Sequence, residues 1–412
     1  MVWSIRLTAC LLLAAGLSLV PSARAGEPTA ATEDLDKLPK LVLDESATDW
    51  AVDRFAGNST AGPEFFQGPA REVGGLGRPY GVAPLPDGRV YIASGGNVLE
   101  VDKEGTLRLV IGGGGSAVEG PPDQVSGGKP VYNPHDKMLY LTGPNCLRRV
   151  VEKEDGSWHI EVVAGTPGKS GFDDGPVKDA TFKNLYNVVI NSRGEIYILD
   201  DGRRFCRIKS GEVKTLHPNF RGGKRVDGPL DQASFNIIGL GGGICLGEDD
   251  DTIYVADHWN FCARKIDLKN GIVTTVAGMP KPKEWKKEKQ TPREKRYNSN
   301  ADGPALTHAS FNSGCGYACY DPVHGGLYVG GPDESRFRWV KDGWVRTVIG
   351  RKVSGSGGGQ RWPCNALGVD GKVVHLTWNS VVAVDHLGRA YLAASSHKHG
   401  LWRAYNRKEA TK

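Results

Sequence analysis

The stretch Val188-Val189-Ile190, Ser192-Arg193-Gly194, Ile196-Tyr197-Ile198-Leu199-Asp200 decides the fold. Two apolar runs meet at a Gly-containing break, and a second pair follows, Arg204-Phe205-Cys206-Arg207-Ile208 and Val213-Lys214-Thr215-Leu216. Four short apolar runs separated by turn residues predict four antiparallel strands. Glycine supplies the positive φ of the tight turns, here and in Pro86-Asp87-Gly88 and His386-Leu387-Gly388. The hydrophobic-Tyr-hydrophobic triplet then recurs as Val90-Tyr91-Ile92, Leu139-Tyr140-Leu141, Ile253-Tyr254-Val255, Leu327-Tyr328-Val329 and Ala390-Tyr391-Leu392. Successive tyrosines are 49, 57, 57, 74 and 63 residues apart. Self-similarity at such a period marks a repeat architecture. A four-stranded sheet cannot bury both faces alone, but a ring of like sheets can.

Unit boundaries repeat as well. Val110-Ile111-Gly112, Val163-Ala164-Gly165, Val276-Ala277-Gly278 and Val348-Ile349-Gly350 close four units. Gln67-Gly68, Glu119-Gly120, Asp174-Gly175, Asp227-Gly228, Asp302-Gly303 and Asp370-Gly371 open units. Three of these continue through proline to Phe182, Phe235 or Phe311. The expected role of these aspartates is structural, accepting backbone N–H groups in a tight turn.

Thr275-Val276-Ala277-Gly278, Asp302-Gly303-Pro304 with Phe311, and Ile253-Tyr254-Val255-Ala256-Asp257 with Asn260 and Arg264-Lys265-Ile266 together resemble the NHL repeat. The resemblance spans about Trp50 to Arg407 and implies a β-propeller, commonly six-bladed. The six triplets reach that count independently. The sixth unit ends after three strands at Leu401-Trp402-Arg403-Ala404-Tyr405, whereas Ala51-Val52-Asp53-Arg54-Phe55-Ala56-Gly57 reads as an orphan unit end. The expected fold is therefore all-β: a six-bladed β-propeller of four-stranded antiparallel blades, with the N-terminal strand closing the last blade and removing two sheet edges.

The first residues read as an export signal: Arg6, the apolar run Leu7 to Val20, and the A-x-A site Ala23-Arg24-Ala25, with cleavage after Ala25. The expected organisation is a signal peptide over 1–25, a linker over 26–48, the propeller over 49–407 and a tail over 408–412. Localisation would be periplasmic or extracellular, with no membrane span. Cleavage removes two arginines and no acid, taking the formal charge from +5 to +3. Lys281 to Arg296 alone carries eight basic and three acidic residues, so the rest of the mature chain sums to −2. This excludes a global basic field for nucleic acid. It marks 281–301 as a solvated rim insertion, alternatively a docking site for an acidic surface or polysaccharide.

Seven cysteines remain after cleavage, an odd number in a compartment that permits disulfides. Cys206 could pair with Cys262, or Cys315 with Cys364; Cys245 and Cys319 read as small buried residues.

Loops entering each inner strand and loops following each triplet share one end of a propeller, here termed the loop face. Repeat-breaking polar and aromatic residues there are the site candidates: Tyr80, Tyr132, Tyr186, Asn187, Asp201, Arg203, Asp257, His258, Asn260, Asp333, Arg336, Trp378, Asn379 and His397. Asp257 with Asn260 also reads as a turn-stabilising pair. His258 is expected to be exposed. A divalent cation, Ca²⁺ or Zn²⁺, could be held by Asp257, His258 and His397. No G-x-S-x-G, phosphate loop or H-E-x-x-H motif is present. The favoured function is a scaffold binding a protein, glycan or small molecule, with Tyr80, Tyr132, Tyr186 and Trp378 offering stacking surfaces. The alternative, drawn from gluconolactonase-like hydrolases and peptidyl-hydroxyglycine lyases of the same shape, is a metal-dependent enzyme at the channel mouth.

Overall fold

A computed structural model describes residues 50–57, 67–74, 76, 79–237, 243–280, 301–311, 314–330, 337–349, 351–352, 364–367, 373–376, 379–394 and 400–406. The expected signal peptide, linker and tail, and all but the last residue of the 281–301 insertion, lie outside these residues.

Six antiparallel sheets form a closed ring. Their inner strands are Pro79–Pro84, Pro130–Tyr132, Leu185–Ile190, Ile244–Leu246, Tyr317–Asp321 and Asn379–Val384. Each neighbours the next, and the last returns to the first. The sheets are numbered here as blades 1 to 6 in that order. In blade 3 the triplet strand Ile196–Asp200, the third strand Arg204–Lys209 and the outer strand Glu212–His217 follow the inner strand. The outer edge gains a two-residue strand, Gly175–Pro176, which pairs with Val213 and Glu212. Gly68–Pro69, Gly228–Pro229 and Gly303–Pro304 repeat this in blades 1, 4 and 5. The Asp-Gly-Pro motif is thus a short fifth strand as well as a corner. Gly228 sits at φ 131°, which a side chain would strain.

The N-terminal strand Trp50–Ala56 closes blade 6, pairing along Gly400–Asn406. It also carries the local signature of an outer strand. Its register breaks between Arg54 and Ala56, as the outer strand of blade 2 breaks between Val162 and Ala164. Its terminal Gly57 N–H donates to Ala70 at 2.8 Å, as Gly165 does to Val177 and Gly278 to Ala305.

Six apolar clusters occupy the six junctions between blades. Between blades 3 and 4, for example, Tyr197, Leu199 and Phe205 pack with Phe235, Ile253 and Val255. The triplet tyrosine recurs because it serves both sides of such a junction. Its ring fills the cluster and, in blades 1 to 4 and 6, its hydroxyl reaches a carboxylate. The partners are Glu100 for Tyr91, Asp136 for Tyr140 (2.7 Å), Glu195 for Tyr197 (3.1 Å), Glu248 for Tyr254 (2.9 Å) and Asp385 for Tyr391 (3.1 Å). Phenylalanine would leave the carboxylate short of that donor, so it is not equivalent there.

Two departures from the sequence reading appear. A seventh, three-stranded sheet, Arg351–Lys352, Cys364–Leu367 and Val373–Leu376, lies between blades 5 and 6 in the chain. The unit-opening pair Asp370-Gly371 lies outside the described residues. Cys206 and Cys262 are free, buried thiols, so they do not pair; the side chain of Cys364, the alternative partner of Cys315, lies outside the described residues.

Two outcomes test this architecture. Val52, 1% exposed in the blade 5–6 core, faces apolar neighbours only through ring closure. Val52→Asp should lower unfolding stability by on the order of 3 kcal/mol in urea titration; an unchanged midpoint would show that the strand does not close the ring. Burial works to raise the Glu195 carboxyl, but bonds from Lys209, Asn191, Arg193 and Tyr197 outweigh it and hold it at about 2, below its ordinary 4.5. A depressed carboxyl contributes stability above its unfolded value and loses it as pH falls. The Glu195→Gln penalty should therefore be largest near neutrality and shrink as pH falls through 4.5 toward 2.

Candidate functional site

On the described loop face, the aspartates that end the triplet strands are committed to the fold. Asp200 Oδ1 accepts the backbone N–H groups of Lys183 (2.9 Å) and Asn184 (2.8 Å), and Oδ2 lies 3.3 Å from the Arg204 guanidinium. Burial pushes its carboxyl up to about 6, against the pull of those partners. Asp257, fully buried, accepts from Asn236 N–H (2.7 Å), from Asn260 Nδ2 (3.0 Å to each oxygen) and from Arg264 (2.9 Å). Burial raises its carboxyl too, opposed chiefly by Arg264. Both aspartates therefore tie the chain entering an inner strand to the end of the triplet strand.

The arginines complete this tie. Arg264 also reaches Asp227 (2.8 Å), the Ser234 carbonyl (3.1 Å) and the face of Phe235 (4.9 Å). Asp227 in turn accepts from Thr275 N–H and Oγ1, both at 3.0 Å. The Asp of Asp-Gly-Pro therefore reaches beyond its own corner to the outer strand. Arg204 repeats the set with Asp174 (3.3 Å), the Thr181 carbonyl (2.7 Å) and Phe182 (5.2 Å). Arg338 does so with Asp302 (2.9 Å), the Ser310 carbonyl (2.6 Å) and Phe311 (4.5 Å).

His258 is buried, 3% exposed, contrary to its expected exposure. The single 3₁₀ turn His258–Asn260 tucks it inward. A Cβ on Gly314, in the entrance to blade 5, would lie 2.4 Å from its ring. The same turn pushes Trp259 outward, 52% exposed, edge-on to His258 at 4.6 Å. Sequence reasoning passed over Trp259; the one available signal was an aromatic inside a polar repeat loop.

A metal does not fit the Asp257–His258 pair. The Asp257 oxygens already carry a guanidinium, an amide and a backbone N–H, and a cation would have to displace Arg264. Among the described residues no group of three His, Cys, Asp or Glu side chains is placed to hold a metal. His397 lies outside the described residues, as do Asp333, Arg336 and Trp378.

Other candidates are placed as follows. Tyr80, 39% exposed, occupies a bulge at the loop-face start of the blade 1 inner strand. Tyr186 occupies the matching bulge in blade 3, with Asn187 next to it; the Tyr186 side chain is not described. Asn379 begins the blade 6 inner strand, its side chain likewise outside the described set. Tyr132 is misassigned by the sequence. The blade 2 inner strand has only three residues and Tyr132 is its last, paired with Leu139, so it belongs to the opposite end of the ring. Its electrostatic neighbours there, Asp87 and Asp136, are hairpin residues.

Asp201 and Arg203 do come together. Asp201 has φ 52° and donates its N–H to the Asn184 carbonyl at 2.8 Å. Its carboxylate lies 3.2 Å from Lys183 Nζ and 3.6 Å from Arg203 Nε. Burial works to raise that carboxyl, but Asn184 and Lys183, with the charge of Arg221, hold it below the usual range. Arg221 is next to Gly222, whose N–H donates to Asn236 Oδ1 (3.1 Å), while Trp259 N–H donates to the Asn236 carbonyl (2.8 Å). Asn236 thus joins the cationic cluster of blade 3 to the exposed indole of blade 4.

No family model matches the sequence, and no curated protein matches it. Solved structures match its fold. A protein of unknown function from Bacteroides thetaiotaomicron aligns at TM-score 0.56 and 16% identity, covering 86% of this chain and 75% of that one. An auxiliary nutrient binding protein from the same organism aligns at TM-score 0.56 and 12% identity, covering 86% and 76%. At such identities the likeness establishes the propeller alone.

If Asp257 is structural, Asp257→Ala should lower global stability by about 3 kcal/mol by leaving a buried guanidinium short of its partner. Urea unfolding at neutral pH reads this; full stability with altered ligand binding would make it a site residue instead.

Proposed function

We propose that this chain is an exported NHL-type propeller that acts as a binding scaffold, engaging its ligand on the loop face. The observation that carries this reading is Trp259, an exposed indole on a face whose described carboxylates Asp200 and Asp257 are committed to buried ion pairs. An aromatic surface beside polar side chains on a rigid scaffold suits recognition. The fold shared with an auxiliary nutrient binding protein is consistent with it. So is the leader-like N-terminus with its Ala23-Arg24-Ala25 site. Residues 281–301, rich in lysine, would form a separate rim element.

Two measurements test this. N-terminal sequencing of protein recovered outside the cytoplasm should begin at Gly26; an intact Met1 start would defeat the export part. On an array of saccharides and peptides, retention by the mature chain should fall with Trp259→Ala and persist after chelation. Retention lost on chelation but indifferent to Trp259 would instead indicate a metal centre.

A further inference from the structure

The blade 3–4 junction carries a second layer of information. Lys183 and Arg203 pair with the carboxylate of Asp201 and Arg221 adds its charge to the same region, leaving a surplus of two positive charges. The Asp200 carboxylate beneath is buried and paired with Arg204, so it does not offset that surplus. Arg203 and Lys183 are about half exposed, with side-chain exposures of 51% and 46%. They are aligned by Asp201, whose backbone is pinned by Asn184. Trp259 stands at the edge of this cluster, held through Asn236.

We infer that this junction binds an acidic sugar, a pyranose ring bearing a carboxylate or sulfate group; the inference rests on the binding-scaffold reading above. A sugar ring has one face of C–H groups that packs on an exposed indole and excludes water from both. Its anionic group meets guanidinium groups, which bind carboxylate and sulfate through paired N–H donors. The two chemistries stand on neighbouring loops that Asn236 ties together, bonded to Gly222 beside Arg221 and to the Trp259 N–H. A nucleic-acid strand instead needs a track of cations with successive stacking surfaces. Among the described residues of this face, Trp259 is the one exposed indole.

The test is isothermal titration of the mature chain with oligogalacturonate, sulfated dextran oligomer, neutral dextran oligomer and single-stranded oligo-dT. At least one acidic sugar should bind, and the two acidic arms distinguish carboxylate from sulfate recognition. Neutral dextran should not compete. Trp259→Ala and the double change Arg203→Ala, Arg221→Ala should each weaken binding by about tenfold or more. Arg203→Lys should retain more affinity than Arg203→Ala, and Lys103→Ala, a cation on the opposite end, should leave binding unchanged. Each variant is checked for an unaltered unfolding midpoint. Binding of neutral dextran with equal affinity, preference for oligo-dT, no acidic-sugar binding, or indifference to Trp259→Ala would each overturn the inference. If acidic sugars fail but another arrayed ligand is lost with Trp259→Ala, the scaffold reading survives and only the ligand class is wrong. If no ligand responds to these changes, both fall.

Discussion

In four consecutive blades a buried guanidinium group, from Arg148, Arg204, Arg264 and Arg338, ties the segment that crosses between blades to the sheet behind it. Burying a charge is costly, and close partners offset that cost even though the Nε groups of Arg148, Arg204 and Arg264 make no hydrogen bond. Here the partners are the Asp of Asp-Gly-Pro, main-chain carbonyls and, in blades 3 to 5, the face of a phenylalanine. Each guanidinium therefore fixes the position of the crossover, and with it the entrance to the next inner strand. The interaction tolerates substitution in its parts. Blade 2 has Gly143 where blades 3 and 4 have Asp200 and Asp257, and Arg148 relies on the carbonyls of Ser126, Gly127 and Thr142. Burial lowers the proton affinity of Arg148 accordingly.

The clamp is not repeated where the ring closes. The register position of Arg264, opposite the residue after the triplet tyrosine, is Leu99 in blade 1 and Trp402 in blade 6. There the N-terminal strand brings its own charges. Asp53 meets Arg403 at 3.0 Å and Arg71 at 2.8 Å, and Arg54 lies over Trp402 at 4.9 Å. Closure thus joins residues some 350 positions apart. The seam that closes the ring joins the two ends of the propeller sequence.

The repeat was legible in the sequence because its signals are local. A triplet strand, a Gly-containing hairpin and an Asp-Gly corner each span a few residues and recur at a steady period. The closing strand was legible because Ala56-Gly57 copies a unit end. What escaped is what depends on register or on distant partners. The clamp arginine is hidden because it drifts: Cys206 holds in blade 3 the register position of Arg264, and Arg204 reaches the same place from two residues earlier. Tyr132 looked like Tyr186 because both precede asparagine, but an inner strand of three residues puts it at the other end of the ring. His258 looked exposed because loop residues usually are; its burial depends on Gly314, 56 residues on. The two readings of Asp257 could not be separated in sequence for the same reason. Asp257 and His258 have metal-ligand chemistry in sequence, and only the fold shows that Arg264 and the blade 5 entrance have claimed them.

The role proposed for the loop face rests on rigidity more than on composition. Among the described residues, three of its post-triplet turns hold a non-glycine residue in the left-handed region: Asn145 at φ 64°, Asp201 at 52° and Phe261 at 56°. Asparagine and aspartate tolerate this geometry, but phenylalanine adopts it at a cost of about 1 kcal/mol or more. Such a conformation persists when the surroundings over-determine it. Here they do: Phe261 N–H is bonded to His258, Trp259 N–H to Asn236, and Asn236 N–H to Asp257, which is itself held by Arg264. The chain of constraint runs from the buried guanidinium to the exposed indole. A ligand meeting Trp259 therefore meets a backbone already ordered, and little of its binding energy is consumed in fixing the loop. The same clamp that builds the propeller preorganises the surface through which the propeller is proposed to act.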